Sequence, residues 1–227
     1  MIAVLAAVVA LAVVGVVGVM VVLANSDDSD NAAAADSSES AAPPPSQQAT
    51  GATPTPTEQS GPFADLQELP PLSVLGSTWQ TGDEAKILSF GEWPFAFRAP
   101  ADWNCFEGTY KKIPDALTWQ CVSGVARGAV MNLVLRKCPS VCDEATKAEY
   151  TAAWLDEPQT AKSFDGNTKY VDTADDGRGR HTVDLSRFFA EEPGGAPVWQ
   201  VGVGGHAPVG KDDGFLKALN DIVTQTQ

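Results

Sequence analysis

The chain has 227 residues, 44% of them hydrophobic, and 15 Lys+Arg against 29 Asp+Glu, for a net charge of −14 with both histidines neutral. That length holds one modest domain with appendages, and the acidity excludes the basic footprint with which nucleic-acid binders displace counterions from phosphates. The charge is unevenly spread: residues 25–85 carry ten acidic residues and no Lys or Arg, whereas residues 86–227 carry 19 acidic and 15 basic.

The first element is an uncharged run that begins at Ile2 and ends at Ala24, 23 residues of Ala, Val, Leu, Ile, Met and Gly. As a helix rising about 1.5 Å per residue it crosses a hydrocarbon core of roughly 30 Å. A cleavable signal peptide has a shorter apolar region and a basic start, so residues 1–24 are expected to be a retained transmembrane anchor. Val22-Leu23-Ala24 ahead of Asn25 also has the small-residue character of a cleavage site. The usual Lys or Arg on the cytoplasmic flank is missing. Either the orientation signal is weak or the start lies too far downstream; the second reading predicts basic residues upstream. With no cysteine nearby, a lipid anchor is not expected.

Residues 25–62 are Ala, Ser, Pro, Thr, Gln, Asp and Glu with scattered Asn and Gly, and no aromatic or branched aliphatic side chain. Such a stretch cannot bury enough apolar surface to offset its ordering entropy and is expected to be a disordered linker. Its Pro-rich pieces should be locally extended, and its Ser/Thr-with-Pro composition fits either a bare spacer or a glycosylated stalk. Residues 63–85 form a transitional segment whose Leu66, Leu69, Leu72, Val74, Leu75 and Trp79 can pack on a folded head.

The head is expected over residues 86–227, and every aromatic residue lies at or after Phe63. Alternation predicts strands at 95–98, 117–122 and 129–136, the last with Met131, Leu133 and Leu135 on one face. A helix is expected over 143–155, with Ser140 and Asp143 at capping-box spacing. Three more strands follow at 169–172, 181–190 and 198–203. Phe215, Leu216, Leu219, Ile222 and Val223 then mark a C-terminal amphipathic helix, with Asp212 and Asp213 placed to cap it. The expected class is α+β: a largely antiparallel sheet of about six strands packed by an internal helix and a C-terminal amphipathic helix.

Phe95-Ala96-Phe97-Arg98-Ala99-Pro100-Ala101-Asp102-Trp103 resembles the strand, Pro, x, x, Trp opening of Mog1/PsbP-like domains. The resemblance extends in element order over residues 90–226. It implies an α/β/α sandwich closed by an amphipathic helix, found in secreted or anchored proteins of high-GC Gram-positive bacteria, and a binding or accessory role. It carries over no site residue, and the four cysteines lie outside the family's general pattern.

Cys105, Cys121, Cys138 and Cys142 all follow the anchor, and an even count in a segment expected to leave the cytoplasm implies disulfides. Three pairings are open. Cys105–Cys121 with Cys138–Cys142 is favoured, the first closing a loop of about 15 residues and contributing roughly 3 kcal/mol in the chain-entropy model. Zinc is the alternative, but only Cys138 and Cys142 have ligand-like spacing.

Catalytic chemistry is hard to place. The histidines are His181 and His206. His181 reads as a surface residue at a strand start; His206 follows a glycine-rich stretch, 202–205, that reads as a strand end turning toward the last helix. A Rossmann reading of that stretch lacks the room for a βαβ unit. Asp172, Asp175, Asp176 and Gly177 hint at calcium but lack the EF-hand ligand pattern. Pairing of those carboxylates with Arg178, Arg180 and Arg187 is the plainer account. Trp93, Trp103 and Trp119 are candidates to line a ligand groove, or else are core.

These observations imply a single-pass membrane protein with an extracytoplasmic C-terminal domain. No enzyme, cofactor or metal is expected. The partners are the membrane, through residues 2–24, and a protein or cell-envelope component. The alternative is a carrier of an apolar, lipid-like ligand in the Trp-lined groove.

Overall fold

The computed structural model describes residues 64–227. The anchor, the linker and Phe63 lie outside the described residues. Among those described, no helix is long and apolar enough to cross a membrane.

The head is α+β and its sheets are antiparallel throughout. Among the described residues nine strands run β1 (Ala85–Ser89), β2 (Ala96–Pro100), β3 (Trp103–Gly108), β4 (Leu117–Ser123), β5 (Val130–Lys137), β6 (Lys162–Asp165), β7 (Thr168–Thr173), β8 (Arg180–Phe189) and β9 (Trp199–Pro208). Helix α1 (Glu144–Trp154) falls between β5 and β6, and α2 (Asp213–Gln225) follows β9. Strands β1 and β2 form a hairpin, and the other seven form one sheet in the order β3-β4-β5-β9-β8-β7-β6.

Strand alternation divides the large sheet's residues between two faces. Met131, Leu133 and Leu135 of β5, Val201 and Val203 of β9, and Val183 and Leu185 of β8 enter the main core. There they meet Phe95 and Phe97 around β2 and the stripe Phe215, Leu219, Ile222 and Val223 of α2. On the opposite face α1 lies over the sheet's middle, with Trp154 and Leu155 against Val134 and Ile113. The Asp143 carboxylate starts α1 by accepting the Thr146 N–H at 2.8 Å.

Three strands exceed the expected six. β1 and β6 show no clean alternation, and every residue of β6 is exposed. β3 begins at Trp103, in a stretch for which no strand is expected. It is held extended by its register with β4, Trp103 opposite Ser123 through Gly108 opposite Thr118. β9 also runs past Val203, through Gly204, Gly205 and His206 to Pro208. The glycine-rich stretch is therefore strand, not a turn.

Helix α2 is buried on nearly its whole circumference, with β2 beside it, whose Arg98 N–H donates to Asp221, and a strap from the segment before β1 bound along it. Asn220, fully buried, organises that strap. Its Oδ1 accepts the N–H groups of Val74 and Leu75, while its Nδ2 donates to the carbonyls of Leu75 and Ser77. Thr224 and Gln225 extend the ladder to Leu72 and Gln67. Buried backbone polar groups need partners, and here α2's side chains provide them.

Candidate functional site

The loop from β1 to β2 turns at Phe90, where the Trp93 N–H donates to the Phe90 carbonyl at 2.7 Å. Phe90 stacks on Trp119 of β4, with centroids 4.1 Å apart and planes 5° from parallel, and meets Trp93 edge-on at 5.2 Å. Between this loop and the β3–β4 hairpin lies a cleft of about 330 Å³ lined by Gly91, Glu92, Trp93, Glu107, Leu117 and Trp119. Glu107 is the cross-strand neighbour of Trp119. Among the described residues neither Glu92 nor Glu107 forms a salt bridge.

Of the three tryptophans expected in a groove, the structure brings two together. Trp103 is 2% exposed and borders a separate depression with Phe215, Pro100 and Ala129. Trp93 is itself almost wholly buried, so the cleft's aromatic surface comes mainly from Trp119.

Both disulfides close in the favoured pairing, Cys105–Cys121 and Cys138–Cys142. The first joins directly opposed residues of β3 and β4, with Cα atoms 4.0 Å apart. The second sits under Phe188 where the chain enters α1.

His181 is not the surface residue its position suggested. Its side chain is 13% exposed and bridges two carboxylates, Nδ1 to Asp212 Oδ2 at 2.5 Å and Nε2 to Asp172 Oδ1 at 2.8 Å. Burial alone would lower its pKa, but the hydrogen bonds and charges of Asp212 and Asp172 raise it on balance. Asp212 thus leaves the α2 backbone uncapped and clamps β8 instead.

The hairpin carboxylates also divide their work. Asp176 binds Arg180 through two nitrogens and accepts the N–H groups of Arg178 and Arg180, while Asp175 accepts those of Gly177 and Gly179. Asp172 is committed to His181 and Lys162. Arg187 pairs with none of those carboxylates: buried, it spans Asp165, Thr168 opposite it on β7, and the Thr226 carbonyl. Among the described residues no group of three His, Cys, Asp or Glu is placed to hold a metal ion.

One feature of the outer sheet face escaped the sequence. Pairing places Phe106, Gln120, Asn132, Gly204, Asp184 and Val171 in one row across six strands. Gln120 donates to Asn132 at 2.7 Å. Among the described residues the Asp184 carboxylate has no hydrogen-bond partner; burial, with the Asp156 charge adding to it and Lys112 opposing, pushes its pKa up to about 6. His206, diagonal to it, is shifted down by burial and by Arg180. The glycines of β9 were the available signal. A Cβ at Gly202 would stand 2.7 Å from Val134 and 2.8 Å from Trp154, and one at Gly204 would run into the Asp184 carboxylate.

No family model matches the chain, and no curated protein matches it. Among solved structures, a crystal structure of a protein from Bacteroides thetaiotaomicron VPI-5482 is similar at 9% identity and a TM-score of 0.34. The match covers 56% of this chain and 43% of that protein, so the chain spans less than half its length.

Proposed function

We propose that this chain is a membrane-tethered, extracytoplasmic binding or accessory module that engages a protein or envelope component and catalyses no reaction. The observation that carries the reading is the pair of disulfides, which takes up all four cysteines. Disulfides persist in oxidising compartments and are rare in the cytosol, and the apolar run at residues 2–24 supplies a route across the membrane. In this reading the acidic, Ala/Ser/Pro/Thr-rich residues 25–62 are a stalk between membrane and head. A sheet with α1 on one face and α2 on the other supports a Mog1/PsbP-like sandwich.

The placement of His181 supports binding over catalysis. Both ring nitrogens of His181 face carboxylates, so neither is turned toward an open site. The Trp93–Trp119 cleft argues against a lipid cargo, because Glu92 and Glu107 place two unpaired carboxylates on its rim.

Protease added to intact cells tests the reading. It should cut the stalk and release a folded head with both disulfides closed. A chain that stays whole until the cells are lysed contradicts it.

A further inference from the structure

The large sheet ends in two edge strands, and they are built differently. β6 is four residues long, carries Lys162 and Asp165, and its register slips between Ser163 and Asp165. A short, charged, irregular edge resists pairing with another chain. β3 is six residues long, pairs without a slip, and contains neither Lys nor Pro.

The hydrogen-bonding direction along β3 follows from its disulfide. In an antiparallel pair, opposed residues with Cα atoms near 4.5 Å do not exchange hydrogen bonds, whereas bonded pairs stand near 5.5 Å. Cys105 and Cys121, at 4.0 Å, are of the first kind. By alternation so are Trp103 with Ser123 and Glu107 with Trp119. The Ser123 N–H accordingly turns away from β3, to the Ala129 carbonyl. The backbone groups of Trp103, Cys105 and Glu107 therefore point outward from the sheet. Lys86 Nζ takes the Trp103 carbonyl. The N–H and C=O of Cys105 and of Glu107 have no protein partner among the described residues. The disulfide fastens this open edge to β4.

Directly opposed residues of neighbouring strands share a face. A residue added opposite Glu107 would project beside the Glu107 carboxylate and into the cleft floored by Trp119 and rimmed by Glu92. An aromatic face and two unpaired carboxylates select a cation.

We infer that the outer edge of β3, with the Trp93–Trp119 cleft, is the docking site for an extended segment of a protein partner, which adds as an eighth strand and places a Lys or Arg opposite Glu107. The inference rests on the binding-module reading and gives it a recognition chemistry: main-chain hydrogen bonds for attachment and one basic side chain for selection.

The test titrates the full chain with hexapeptides of alternating Thr and Val in which one Lys is stepped through each position, and with a matched panel carrying Glu. Tryptophan fluorescence reads binding, and hydrogen exchange reads the amides of Cys105 and Glu107. The best Lys peptide should bind roughly tenfold or more tighter than its Glu counterpart and slow exchange at both amides. Methylating its bonding amides should abolish binding. The double variant Glu92→Gln/Glu107→Gln, which alters only exposed side chains, should weaken the Lys peptide by roughly tenfold. Equal binding of the two panels, no binding by the Lys panel, or binding that leaves both amides exchanging freely overturns the inference. Cell-surface protease release is independent of this titration, so the docking site and the extracytoplasmic reading can each fail alone.

Discussion

The His181 imidazole and the Asp212 carboxylate stand 2.5 Å apart and tie the start of β8 to the start of α2. Asp172, from β7, engages the other ring nitrogen and is itself paired with Lys162 of β6. Three elements thus meet on one ring. A histidine whose folded pKa is raised contributes stability that is complete below its unfolded value, near 6.5, and is lost as pH rises through the folded value. Unfolding midpoints in urea should therefore fall as pH is raised above about 6.5. His181→Gln should cost about 2 kcal/mol at about pH 5.5 and flatten that slope. A variant with an unchanged slope would show that the ring does not titrate on folding.

Asp184 acts in the same direction through a different cause. Its folded pKa of about 6, against 3.8 ordinarily, means that the folded state disfavours the ionised carboxylate. Its stability contribution is full below the unfolded value and is lost as pH rises through about 6. Asp184→Asn should be near neutral at about pH 4. At about pH 7.5 it should stabilise by about 3 kcal/mol, because each tenfold change in an acidity constant is worth about 1.4 kcal/mol. Urea unfolding at the two pH values checks both halves.

How much of this was legible in the residues depends on what fixed each element. Met131, Leu133 and Leu135 announced β5, and Phe215, Leu219 and Ile222 announced α2, because burial on one face imposes a period. β3 carried no such signal: Asn104, Phe106 and Glu107 are exposed, and a partner strand and a disulfide hold it extended. The cysteine pairing could be favoured from spacing, and Trp93 and Trp119 could be flagged from residue type. That Trp103 lies apart, that Glu107 pairs across from Trp119, and that His181 meets Asp212 from 31 positions away are matters of register and docking. Local sequence does not encode them.

Gly202 illustrates close packing where a strand pattern would admit any small residue. Gly202→Ala places a methyl against Val134 and Trp154 at 2.7–2.8 Å and should cost about 2 kcal/mol. Thermal unfolding measures the loss. No change would mean that Trp154 shifts freely, and α1 would then be loosely held.

Asn220→Ala strips four backbone groups of the strap of their partners and leaves a cavity under α2. The expected loss is about 3 kcal/mol, with faster proteolysis within residues 64–79. Limited digestion followed by mass spectrometry locates the cut.

Cys105→Ala with Cys121→Ala should cost about 3 kcal/mol and speed hydrogen exchange along β3 more than along β5. Uniform acceleration across the sheet would remove the disulfide's special hold on the edge strand.

The measurement closest to the central claim is the intact mass of the protein from native membranes, with thiols alkylated before and after reduction. A mass that includes residues 2–24, no alkylation before reduction and four alkylations after it is the expected result. A mass that starts near Asn25 would remove the tether, and thiols alkylated before reduction would contradict the extracytoplasmic head.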